Sequence, residues 1–441
     1  MIPSSPVRPG ASPISAGATI PLSFIAAGLV AGVMGAGWLL AAPGTLALPH
    51  LHPHVIALTH VWLLGALATI CFGAVYQLLP VLANTAFTGR LAAWVHLGVH
   101  LVGTTIMVVA FRTGELGIVA AGGTLVATGV GLFALNVART LRAANRLDPI
   151  LIAFGCSAAW LVVTVIAGVL LAANLRFGWW PMNVLGLLRA HAHLGVVGFF
   201  VTLLQGAMFR LVPMFTLATV DTTHRIGWAL ALSQTGLLVL ATSLAWAAAA
   251  GTFAGATLLL VSFALSGREL QRIYATRRKR VIEPGLRGFF AGLSLLMVAG
   301  LAGAALACGV GDLQAALGYG VLAILGGLLA SVQGMLCKIV PFLVWMRVYG
   351  PRVGRQVTPQ AGTLGRANLE RLWVWLHVSG ALLLAVGAGV AHVGVLALGA
   401  TLFAAGQIAL LVSLGTTARH VWRPVTAPVA PAAAQPVKTF V

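Results

Sequence analysis

Three histidines define the chemistry open to this chain. His60 stands in THVWLLGALATICFGAVYQLLPVL, residues 59–82, and His191 and His193 open AHAHLGVVGFFVTLLQGAMFRLVPMF, residues 190–215. Both stretches are otherwise apolar. An ionisable side chain in hydrocarbon is costly and is normally paired, liganded or turned to a cavity. Two neutral imidazoles at equal depth on separate helices, His60 and His193, suit axial coordination of a haem iron between apolar walls. The alternative is a membrane histidine hydrogen-bonded to a carbonyl of a neighbouring helix. His191 precedes His193 by two residues, about 200° around a helix, so one regular helix cannot aim both at one small metal. His191 is therefore a candidate ligand of a second haem or metal, or a histidine of the outer interface.

Other histidines form weaker patterns. His96 and His100 are four apart on one helix face, a spacing that can bind one metal, and His377 is expected at nearly the same depth. The alternative is polar packing between helices. His50, His52 and His54 read HLHPH in a short loop, which either takes up copper or zinc or is an exposed proline-containing turn. Cys71, Cys156, Cys308 and Cys337 lie in apolar stretches without CxxC spacing and read as small core residues. The seven acids, Glu115, Asp148, Asp221, Glu269, Glu283, Asp312 and Glu370, fall at or near helix ends, so none is placed for a proton relay through a membrane.

The elements that must carry these residues follow from composition. Of 441 residues, 60% are hydrophobic and 7% charged, with a mean hydropathy of +1.01; such a chain lacks the polar surface of a soluble domain. Crossing about 30 Å of hydrocarbon takes roughly 20 residues of helix. Suitable stretches fall near 18–42, 55–83, 91–111, 115–138, 149–173, 187–217, 226–248, 250–266, 287–308, 313–346, 372–391 and 393–416. The expected fold is an all-α polytopic membrane protein with about twelve transmembrane helices.

The net charge of +19 is concentrated after even-numbered spans: Arg90, then Arg139, Arg142 and Arg146, then Arg225, the run Arg277 to Arg280, Arg347 to Arg366, and finally Arg419 and Arg423. Arg112, Arg176 and Arg189 are the exceptions. The positive-inside rule then places both termini in the cytoplasm, in a bacterial-type inner membrane, with the first helix as an uncleaved anchor. Membrane lipid, not nucleic acid, is the expected neighbour of these charges.

A repeat divides the chain. Residues 318–343 read GYGVLAILGGLLASVQGMLCKIVPFL, and alignment on Pro80, Pro213 and Pro341 matches Gly65, Gly198 and Gly326, then Gly73, Gly206 and Gly334, then Gln77, Arg210 and Lys338. His60 and His193 also match, whereas the third copy has Val321. Since the copies fall on spans two, six and ten, one membrane domain over 18–418 comprises three four-helix units, 18–140, 149–272 and 286–418. A cytoplasmic tail is expected over 1–17 and a disordered Ala/Pro-rich tail over 423–441. The glycines are expected to admit a neighbouring backbone or a flat ligand, and the prolines to stop or kink the helices.

The stretch beginning AHAHLG resembles the HxH helix of the haem-copper oxidase subunit I superfamily, which includes cytochrome oxidases and nitric oxide reductases; the stretch around His60 resembles that family's second helix. The resemblance implies that His60 and His193 are the axial ligands of a low-spin haem b, and that His191 is a proximal ligand of a second haem. It further implies an oxidoreductase of oxygen or nitric oxide, or an electron carrier, served by a cytochrome c or quinol donor and a partner subunit. The chain departs from the family in copper: the HxH lies on the sixth span instead of the tenth, and no His-His pair stands on the seventh, so a complete copper site is not expected. A second resemblance, on helix number and the HxH helix, is to the NnrS family of membrane haem proteins linked to nitric oxide stress, without its HAHE form. A different reading, from the repeats and HLHPH, is a permease or metal-handling protein.

Overall fold

A computed structural model describes residues 17–179, 183–219, 223–425 and 427–428. Asp221, most of the N-terminal tail and residues 429–441 of the C-terminal tail lie outside the described residues. Helix is the one open structure that satisfies every backbone group within its own segment in hydrocarbon, and among the described residues twelve helices are long and apolar enough to span a membrane. They are α1 Thr19–Ala41, α2 Pro53–Ala83, α3 Arg90–Thr113, α4 Leu116–Arg142, α5 Pro149–Phe177, α6 Val184–Thr216, α7 His224–Ala245, α8 Ala249–Ala275, α9 Pro284–Ala307, α10 Leu313–Val348, α11 Ala367–Gly389 and α12 Val393–Val421. Two departures from expectation are α8, which runs on past residue 266, and α11, which starts before residue 372. Both extensions carry charge that hydropathy alone cuts off. Glu269 in the last turns of α8 is held by Arg225 at 3.6 Å and Arg272 at 3.2 Å.

Several expected helix-end acids act as caps or counter-ions. Asp148 and Asp312 accept the backbone N–H of Leu151 and Ala315, at 2.9 and 2.8 Å, satisfying donors that a helix start leaves free. Glu283, just before α9, is paired with Lys279 and with Lys338 of α10.

The helices close into a ring. The last two helices of each unit form tight antiparallel pairs (α3 with α4, α7 with α8, α11 with α12), and α12 packs back against α1. Inside the ring stand α2, α6 and α10. Their apolar stretches are 67%, 67% and 61% buried, against 17–50% for the other nine, so the repeated phrase marks the inner helices. Phe72 of α2 and Phe199 of α6 meet at 5.8 Å across the centre.

The repeat glycines serve helix packing. A Cβ on Gly73, Gly206 or Gly334 would stand 2.7 Å from Phe24, 2.7 Å from Ala153 or 2.5 Å from the Phe289 nitrogen, on α1, α5 and α9 respectively. The first glycine of each copy also faces its unit's first helix, at Ala31, Trp160 and Leu295. Of the two expected neighbours, a backbone or a flat ligand, the helix is the one that fills these positions. The prolines do not stop the helices: each lies inside one, with α2 and α6 ending at left-handed Asn84 and Leu217, four residues later, and α10 continuing to Val348.

One distortion recurs at the same register in all three copies. Val61–Ala68, Leu194–Val201 and Leu322–Leu329 are π-helical, each starting one residue after His60, His193 or Val321. Such wide turns are rare and concentrate at functional sites.

Candidate functional site

His60, His191 and His193 converge on one cavity of about 920 Å³, between the inner helices and α7, α8 and α9. That volume is within the range of ligand-binding cavities. The cavity lies at the first-half ends of α2, α6 and α10, beside the loop before α2 that supplies His50. Its walls are largely Leu, Val, Ala and Gly, with Arg189, Asn183, Asp312 and Tyr319 among the polar groups.

The local helix sets the state of the two matched imidazoles. Nδ1 of His60 donates to the Ile56 carbonyl at 2.7 Å, and Nδ1 of His193 to the Arg189 carbonyl at 2.8 Å, both four residues back. A carbonyl can only accept, so each Nδ1 carries the proton and each Nε2 keeps its lone pair. Metal-bound histidines are prepared in this way, with one nitrogen tied to a carbonyl and the other free to coordinate. Phe111 of α3 stacks on His60, with ring centroids 5.3 Å apart.

His191 turns toward α5, as the 200° offset requires. Its Nδ1 donates to the Thr164 carbonyl at 3.1 Å, and Gly168 leaves space for the ring, because a Cβ there would stand 2.9 Å from the imidazole. His191 lines the same cavity and lies within electrostatic range of His60. Three buried polar atoms on or beside the cavity wall have no hydrogen-bond partner: His50 Nδ1, Trp62 Nε1 and Gln205 Oε1. Gln205 donates from its other end to Ser266 at 2.8 Å.

His96, His100 and His377 do not line this cavity. His96 meets the Tyr76 hydroxyl at 2.8 Å. His100 donates to the Leu64 carbonyl at 3.1 Å, and His377 to the Leu325 carbonyl at 2.9 Å while accepting from Gln407 at 2.9 Å. Leu64 and Leu325 hold equivalent places in the π-helical segments, so His100 and His377 satisfy carbonyls of the wide turns. In the first and second copies the matching Thr69 and Thr202 also donate to the Leu64 and Val197 carbonyls within their own helices, at 2.9 and 3.1 Å.

The HLHPH residues split, with the His52 and His54 rings 5.0 Å apart and His50 elsewhere. His50 lines the cavity, His52 accepts the His54 N–H at 3.2 Å as the cap of α2, and His54 packs beside Trp38 of α1. Burial and the nearby Arg189 guanidinium hold His50 below the usual imidazole range. Among the described residues no group of three or more His, Cys, Asp or Glu side chains is gathered to hold a metal ion, so neither His50, His52 and His54 nor His96, His100 and His377 forms such a set, although His50 Nδ1, His96 Nε2 and His100 Nδ1 are buried without a hydrogen-bond partner. The four cysteines are unpaired, with Cys71 and Cys337 buried, Cys156 partly buried and Cys308 exposed.

Tyr319 and Arg189 were not singled out by sequence as site residues. The signal for Tyr319 is its register: it stands 22 residues before Pro341, as His191 does before Pro213. Compared with known proteins, the chain matches no family model, and no curated protein is significantly similar to it.

Proposed function

We propose that this chain is a haem b-binding redox protein of the membrane, with His60 and His193 as the axial ligands and His191 as a candidate ligand of a second haem. The carrying observation is that the two register-matched imidazoles line one cavity with Nδ1 tied to a backbone carbonyl and Nε2 unprotonated. The donor set fits the group: two neutral nitrogens, an apolar enclosure large enough for a macrocycle, and Arg189 as a counter-charge for carboxylates. Bound there, haem b would supply one-electron transfer, or oxygen or nitric oxide chemistry. The protein's part is to hold the imidazoles at fixed tautomer and to exclude water with leucine, valine and alanine walls.

The basic loops support an orientation with both termini in the cytoplasm and the cavity in the outer half of the bilayer. A cytochrome c or quinol is the class of donor consistent with that depth, and copper is not part of the proposal.

The test is the reduced-minus-oxidised spectrum of the purified protein beside His60→Ala, His193→Ala and His191→Ala. Low-spin b-type bands are expected in the wild type, lost in the first two variants and retained in the third. A folded wild type that stays colourless after haem supplementation overturns the reading.

A further inference from the structure

The hydroxyl of Tyr319 lies 3.4 Å from Nε2 of His193, and the two rings are nearly parallel, 21° apart with centroids at 6.4 Å. The direction of this bond follows from the other side of the imidazole. Because Nδ1 gives its proton to the Arg189 carbonyl, Nε2 can only accept, and the phenol is the donor. The position is built into α9 and α10. Gly303 of α9 makes room for the phenol, since a Cβ there would stand 3.1 Å from the ring, and α10 brings the tyrosine to the place that His191 holds in α6. Each inner helix thus contributes to the same cavity: His60 from α2, His191 and His193 from α6, and Tyr319 from α10.

We propose that Tyr319 is a phenolic latch on His193, a positioning residue that holds the imidazole by its Nε2 lone pair and competes with a metal for it. The metal half of this statement rests on the haem reading above; the hydrogen bond does not. One lone pair cannot accept a proton and bind iron together, so coordination breaks the O–H···N bond and returns the hydroxyl to the cavity as a free donor. Removing the hydroxyl while keeping the ring therefore makes His193 more reactive and its metal affinity higher.

The experiment uses Tyr319→Phe in purified full-length protein prepared without haem. The first readout is ethoxyformylation of His193 by diethyl pyrocarbonate, measured by peptide mass spectrometry against His60 in the same sample. A rise of about three- to tenfold is expected, the size of one net hydrogen bond. The second readout is titration with ferric protoporphyrin IX, in which the affinity rises by a similar factor. Unchanged His193 reactivity overturns the latch whatever haem does. Raised reactivity with no haem bound by either protein supports the latch and overturns the haem reading instead. Tyr319→Met, which also lacks the donor, covers the case in which Tyr319→Phe does not fold; the same direction of change is expected, and no change overturns the latch.

Discussion

The imidazole of His60 lies against the ring of Phe111, with centroids 5.3 Å apart and planes 23° from parallel. One edge of the imidazole is thereby tied to the Ile56 carbonyl of its own helix, and one face to an aromatic plate from α3. Phe111→Ala removes the plate and keeps the tie. On the haem reading proposed above, haem retention is expected to fall about tenfold, the lower end of losses seen when groups behind a metal ligand are removed. Transfer of haem to an acceptor globin measures it; an unchanged rate would mean that the Ile56 bond alone orients the ring.

Gly334 and Gly37 separate packing from helix propensity. A Cβ at Gly334 meets the Phe289 nitrogen at 2.5 Å and the Gly285 carbonyl at 2.6 Å, whereas Gly37 has nothing within 4 Å. Backbone atoms cannot swing aside, so Gly334→Ala forces α9 and α10 apart and is expected to cost about 1–3 kcal/mol. Gly37→Ala is expected to be neutral or stabilising by up to about 1 kcal/mol. Unfolding in mixed detergent and SDS micelles distinguishes the two.

His377→Leu tests whether this histidine serves structure or metal. The substitution leaves the Leu325 carbonyl and the Gln407 amide without the partner they have at 2.9 Å, at an expected cost of about 1–3 kcal/mol. The haem spectrum of the folded variant is expected to match the wild type. Loss of a spectral component with stability intact would make His377 a ligand.

His50 gives a pH dependence of known sign. Burial and Arg189 lower its affinity for a proton in the folded protein from the ordinary value of 6.5. Below that pH the unfolded chain takes up the proton more readily than the folded one, so this contribution to stability is intact above about pH 6.5 and declines as the pH falls. Melting temperatures between pH 7.5 and 5 are expected to drop more for the wild type than for His50→Gln. Parallel curves would show that Arg189 and burial do not act on this imidazole in solution.

The membrane fold was legible because its signal is one-dimensional: a run of about twenty apolar residues needs no partner to be recognised, and twelve expected spans match twelve helices. The shared depth of His60 and His193 was legible through the repeat register, and both line one cavity; that His191, offset around the same helix, lines it too was not. The roles of His100 and His377 were not, because the carbonyls they serve belong to wide turns on other helices, and nothing in the composition of VWLLGALA or LAILGGLL marks a change of helical pitch. Tyr319 escaped for another reason. A tyrosine on an apolar helix has many uses, and only the geometry of His193 beside it assigns one.

The three wide turns also set an angle within each inner helix. A turn closed five residues apart accommodates one residue more than an α-helical turn, so the residues beyond it are rotated about the axis relative to those before it. His60, His193 and Tyr319 precede the wide turn of their helix, whereas the packing glycines Gly73, Gly206 and Gly334 follow it. The extra residue therefore fixes how the face that lines the cavity is turned against the face that packs on the first helix of each unit.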